Sequence, residues 1–201
     1  MSRIKKYKIG RRLGTGVFEK CQTQKFILSE QKRTTVRKGR KSQSSDYGMQ
    51  LLEKQKVRFT YGLKERQLQK YIEKALSKKG NNLESLYGGI ESRLDNVVYR
   101  LGLAETRAKA RQVVSHGHIT INGKRLNIPS YNVNNGEIIG IKAQSQNKGL
   151  FENFEERQKG VTVPNWLSFD IKKKEGKIVG VPKIGTGETF DLRAVFEFYR
   201  R

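Results

Sequence analysis

The side chains best placed to do chemistry are basic, and they are arranged as surfaces rather than as catalytic sets. Arg107, Arg111 and Ser115 recur at i, i+4 and i+8, on one face of a helix, with Lys109, Gln112 and His116 in a neighbouring row. His118, Asn122, Lys124 and Arg125 follow within ten residues, at the start and tip of a candidate hairpin. Guanidinium groups present planar forks that bind phosphate bidentately, which lysine cannot imitate. A cationic helix beside a cationic hairpin tip suits a nucleic-acid backbone. The same spacing also describes the solvated face of any amphipathic helix.

Other chemistries lack their parts. His116 and His118 are the only histidines and Cys21 the only cysteine, so a multi-cysteine zinc site and a disulfide within the chain are excluded. With no carboxylate cluster nearby, the two histidines are expected to end a helix or touch RNA, not to hold a metal. The glycines at 10, 14 and 16, and at 185 and 187, lack the strand–glycine–helix context of a nucleotide loop. Glu91 and Asp95 beside Arg93 read as an ion pair rather than an acid–base couple. Tyr61, Tyr71, Tyr87, Tyr99 and Phe59 fall at helical spacing and read as core before they read as base-stacking platforms. No cofactor and no catalytic set are expected.

The 201 residues carry a formal charge of +23, which repels itself in a compact chain and calls for a polyanion, either nucleic acid or an acidic membrane surface. No apolar run approaches the ~20 residues that span a bilayer, and no signal-peptide region follows the start. The simplest compartment is the cytoplasm. Residues 1–48 hold +11 of the charge. Residues 1–45, with the run Lys32 to Lys41, read as a basic extended arm that orders on RNA.

The elements that would position the cationic face are legible from periodicity. Asp46 is expected to cap a helix through Leu51 and Leu52, and Gly62 to break it. A second helix follows from Leu63 to Leu76, and a short one starts near Asn82. Leu94, Val97, Val98 and Leu101 form one apolar stripe that stops at Gly102. Thr106 caps the next helix, whose core face is Ala110, Val113 and Val114 and which Gly117 ends. Ile119 and Ile121 alternate with polar residues, Asn122-Gly123 is a favoured two-residue hairpin turn, and Leu126 and Ile128 are expected to continue the return strand. Further strand signals surround Gly136, residues 144–160 read as a linker or polar helix, and the last ten residues are apolar and aromatic.

The run from Arg93 to Gly102, continued by Thr106-Arg107, Ala110 to Ile119 and Asn122-Gly123, resembles the S-four RNA-binding domain. That domain also occurs as an accessory module of RNA-modifying enzymes and a tRNA synthetase. The stretches Ser45 to Gln67, Ile128-Pro129-Ser130-Tyr131, Pro164 to Leu167 and Phe196 to Tyr199 are similar to landmarks of bacterial-type small ribosomal subunit protein four. The resemblance implies an α+β fold: a helical domain at 46–92 completed by a returning segment at 160–201, with an RNA-binding domain of two helices and a small sheet inserted at 93–159. It implies a non-enzymatic protein of the small ribosomal subunit that binds ribosomal RNA, helps nucleate the 5′ domain and lies near the messenger path, beside protein five. Implied RNA contacts are Arg93, Arg107, Lys109, Arg111, His116, His118, Asn122 and Lys124, with Tyr47, Lys54, Lys56, Arg58 and Arg66 in the helical domain. Arg37, Lys38, Arg40 and Lys41 would face messenger RNA. The stretch Thr34 to Lys41 has neither the proline–glycine element nor the cysteine-rich knuckle of some family members. The alternative function is an accessory RNA-binding protein or RNA-modifying enzyme using the same domain.

Overall fold

The computed structural model describes residues 5–36, 45–78, 80–146, 151, 160, 162–171, 173–185 and 188–200. The fold is α+β; the described residues include a five-stranded antiparallel sheet, and the chain separates into two compact units. One comprises residues 1–73 and 185–201; the other comprises 74–184.

In the first unit the described part of the expected arm, residues 5–36, is folded. Helices α1 (Lys6–Leu13) and α2 (Gln24–Val36) are joined by two 3₁₀ turns, Thr15–Val17 and Glu19–Cys21. The basic composition concealed a small apolar cluster: Leu13, Val17, Phe18, Cys21 and Phe26 are buried, with Ile9, Leu52 and Phe59 packed on them. The cations stay at its surface, where Arg11 pairs with Glu30 at 2.9 Å and Lys6 lies over the Phe18 ring at 5.7 Å. Cys21 is wholly buried. Burial pushes its thiol above the usual cysteine range despite the opposing charges of Lys6 and Arg11. Its reaction with a disulfide reagent should therefore be slow in native buffer and immediate in denaturant, a difference readable by thiol titration.

Helix α3 (Asp46–Thr60) follows, capped by Ser45, whose hydroxyl accepts the Gly48 amide at 3.2 Å, rather than by Asp46, which lies in the first turn. The unit also holds most of α4 (Glu65–Ser77) and the final helix, α9 (Leu192–Arg200), which packs along α3. Leu192, Val195 and Phe196 are buried on α9. Polar clamps fix the two helices: Gln50 donates to Glu197 at 3.0 Å, and Glu53 accepts the Asp191 amide at 2.8 Å.

The second unit contains α5 (Asn82–Glu91), α6 (Leu94–Arg100) and α7 (Arg107–Ser115) beside the sheet. The strands are β1 (Ile119–Ile121), β2 (Lys124–Arg125), β3 (Ile138–Ile141), β4 (Leu167–Asp170) and β5 (Glu175–Ile178), in the order β2-β1-β3-β5-β4. A four-residue helix, α8 (Ala143–Gln146), follows β3. Asn122 and Gly123 both have positive φ, 49° and 78°, the backbone that a tight two-residue hairpin requires. The return strand stops at Arg125 rather than running through Ile128; Pro129 has no amide to extend the ladder, and Ile128 is exposed. The stripe Leu94, Val97, Val98 and Leu101 and the face Ala110, Val113 and Val114 close over Ile119, Ile121, Ile139, Ile141, Leu167 and Ile178.

Strands β4 and β5 correct the expected return of residues 160–201 to the helical domain. Leu167 pairs with Ile178 and Ile138 with Lys177, so both strands complete the sheet of the second unit. Alternating Leu167 and Phe169 supply its core face, and only residues from Gly185 onward join the first unit. Among the described residues no helix is long and apolar enough to cross a membrane.

Candidate nucleic-acid interface

Burying Ala110, Val113 and Val114 turns the rest of α7 outward. Thr106 starts the helix by accepting the Lys109 amide at 3.1 Å. Lys109 is exposed. Arg107 is half-buried: its Nε donates to Asn96 Oδ1 at 2.9 Å and its guanidinium covers the Tyr99 ring at 4.4 Å. Arg111 is held more loosely, 3.9 Å from Asp95. These contacts fix two of the three cations without neutralising the helix face.

His116 and His118 lie at the end of α7, with ring centroids 6.1 Å apart. His116 is exposed, and His118 Nδ1 shares a 2.9 Å hydrogen bond with Ser145 Oγ. At the hairpin, Lys124 and Arg125 are exposed, whereas Asn122 uses its side-chain oxygen to accept the Ile138 amide at 2.9 Å. Among the described residues, Lys109, Lys124 and Arg125 form no ion pair. The structure thus brings Arg107, Lys109, Arg111, His116, His118, Asn122 and Lys124 into one helix–turn–hairpin segment of one compact unit.

Two expected ligands are interior cations instead. Arg93 is 1 % exposed, and its guanidinium clamps Asp95 bidentately through bonds of 3.0 and 2.7 Å. Its charge is balanced inside the unit, at the start of α6. Lys54 is likewise buried: Nζ lies 2.7 Å from Glu65 Oε1 and 4.2 Å from the Phe198 ring centre. Arg58 reaches the same carboxylate at 3.2 Å, and Lys56 pairs with Glu53 at 2.6 Å. Tyr47 and Arg66 remain exposed, Tyr47 with its ring 5.5 Å from that of Phe198. The run Arg37, Lys38, Arg40 and Lys41 lies outside the described residues.

The ion pair expected at Arg93 forms with Asp95, whereas sequence reasoning missed Glu65 and the residues that Glu91 gathers. Glu65 collects Lys54, Arg58 and Tyr199; Glu91 collects Arg100, at 2.8 Å, and Asn96, at 2.9 Å. Most of these partners are seven or more residues away, so no local spacing points to them. Among the described residues no cluster of histidine, cysteine, aspartate and glutamate is arranged to hold a metal ion.

Comparison with known proteins agrees with this architecture. Residues 2–91 match the ribosomal protein S4/S9 N-terminal domain family, and residues 92–139 match the S4 domain family. The chain is 43 % identical over 203 residues to small ribosomal subunit protein uS4 of Roseiflexus sp., covering 96 % of both chains. It is 42 % identical over 202 residues to the protein of the same name from Chloroflexus aurantiacus, and 41 % over 195 residues to that of Akkermansia muciniphila, each covering 96 % of both chains. Family matches over residues 2–139, and relatives of this similarity along almost the whole length, show that the chain belongs to the uS4 family of small ribosomal subunit proteins.

Proposed function

We propose that the chain binds small-subunit ribosomal RNA directly, through the α7–hairpin surface, and holds its 5′ domain in an assembled shape. As a uS4-family member it is a structural ribosomal protein and not an enzyme. The observation that carries the RNA reading is the set of cations left without ion pairs among the described residues. Lys109 stands exposed on α7 and Lys124 and Arg125 on β2, while the interior cations Arg93 and Lys54 are paired with carboxylates. Backbone phosphates supply the missing charge, and recognition is then by RNA shape rather than by reading bases in a duplex groove. Proximity to the messenger path, with an effect on translational accuracy, and contact with protein five extend the same reading. Arg37, Lys38, Arg40 and Lys41 are the messenger-facing candidates.

Filter binding and footprinting with small-subunit ribosomal RNA test this. Affinity should fall steeply with salt, and the 5′ domain should be protected. Lys109→Ala with Lys124→Ala should lower the slope of log affinity against log salt by about one and a half, as expected for two lost phosphate contacts. Absence of salt-sensitive protection in the 5′ domain would overturn the reading.

A further inference from the structure

Arg125 reaches back to the turn between α7 and β1. Arg125 lies on β2, opposite Thr120, and is exposed. Its guanidinium nevertheless occupies the space where Gly117 would carry a side chain. A methyl group at Gly117 would stand 2.5 Å from Arg125 Nη2 and 2.7 Å from Cζ, and would overlap Nε. Gly117 also has φ 71°, so glycine serves two needs there: it ends α7, and it leaves a bare backbone as a seat for a planar cation. The chain neighbours of Gly117 are His116 and His118, whose ring centroids are 6.1 Å apart, and the His118 ring is anchored on Ser145.

We propose that Gly117 positions Arg125 so that its guanidinium forms, with His116 and His118, a preorganised site for one RNA backbone phosphate. The proposal rests on the RNA-binding reading above and assigns that surface a specific anchor. An exposed arginine ordinarily loses rotamer freedom when it binds; one already lying on a glycine loses less. The seated fork retains the planar geometry that pairs bidentately with phosphate oxygens. No ion pair with a described residue competes for it.

A purely structural role is the rival: Arg125 could serve only as a cation at the negative end of α7. Equilibrium binding of the full chain to a small-subunit ribosomal RNA transcript separates the two, with unfolding followed in parallel by Trp166 fluorescence. Arg125→Ala should bind about tenfold more weakly, as for a lost charge-assisted contact, and its salt slope should fall by about one. Gly117→Ala should approach the same loss, and the double variant should be no worse than Arg125→Ala alone. Gly136→Ala is the control for backbone strain, because Gly136 has φ 88° and nothing within 4 Å of an added methyl; it should bind as the parent does. Arg125→Lys keeps the charge without the fork and should recover only part of the affinity, a comparison that holds even if Gly117→Ala does not fold. Binding by Arg125→Ala within twofold of the parent, or a loss of stability without a loss of affinity, would overturn the proposal. Losses that multiply in the double variant would overturn the seat. A parent chain with no salt-sensitive RNA binding would instead sink the underlying RNA reading, and this site with it.

Discussion

Replacing Asp95 by alanine should destabilise the unit formed by residues 74–184 by about 3–5 kcal/mol, the cost of leaving one partner of a buried ion pair alone. Asp95 and Arg93 side chains are 7 % and 1 % exposed, and their two hydrogen bonds are parallel and short. Removing the carboxylate takes this bidentate partner from a buried guanidinium that cannot shed its proton. The pair also lies where the start of α6 is tied to a distant loop. The Leu94 amide donates to Tyr131 O at 2.8 Å, the Asp95 amide to Pro129 O at 3.1 Å, and the Val133 amide to Ser92 O at 2.8 Å. Chemical denaturation followed by Trp166 fluorescence measures the effect, since Trp166 is the only tryptophan in the sequence and belongs to this unit's core. The double variant Arg93→Met, Asp95→Leu should recover most of the loss, because an apolar pair of similar volume needs no charge compensation. A loss below about 1 kcal/mol for Asp95→Ala would show that the pair is not the buried, compensated element described here.

Local rules carried well through residues 94–123, because every signal there is short-range. The apolar stripe of α6, the Thr106 cap and the Asn122-Gly123 turn each concern residues within a few positions of one another. Register across the sheet is different in kind. Ile138 finds Lys177 some forty positions later, and no pattern within either strand names its partner. The first 45 residues misled for a compositional reason: a cluster built on Leu13, Val17, Phe18, Cys21 and Phe26 is small, and the many surrounding cations mask it. The candidate site was legible as a surface but not residue by residue. A basic side chain looks alike in sequence whether it faces solvent or a carboxylate of its own chain: Lys54 is buried against Glu65, and Arg93 against Asp95 where α6 meets residues 129–133. Arg125 was visible as a hairpin-tip cation, whereas its seat on Gly117 depends on a backbone approach that spacing cannot express.

Glu65→Ala should lower the stability of the unit formed by residues 1–73 and 185–201 by about 2 kcal/mol, less than for Asp95 because the carboxylate is 42 % exposed and water screens it. Three groups converge on this side chain: Lys54 Nζ at 2.7 Å, Arg58 Nη1 at 3.2 Å and the Tyr199 hydroxyl at 2.7 Å. Lys54 is the costly one to orphan, since it is buried beneath the Phe198 ring on α9. Burial alone would raise the Glu65 carboxyl, but the hydrogen bonds from Lys54, Tyr199 and Arg58 outweigh it and hold the group below the usual glutamate range. The sign of the pH dependence follows. A carboxyl depressed in the folded state contributes stability above its unfolded pKa, near 4.5, and loses it as pH falls through the folded value. Tyr199 acts at the other end: burial and its bond to Glu65 push the hydroxyl up, so its contribution is complete below about pH 10 and declines above it. Urea unfolding followed by far-ultraviolet circular dichroism from pH 7 to pH 3 should therefore show the gap between the parent and Glu65→Gln narrowing below pH 4.5, as the parent carboxyl takes up its own proton. A gap that stayed constant across that range would mean that the charge on Glu65 does not hold α3 and α9 together.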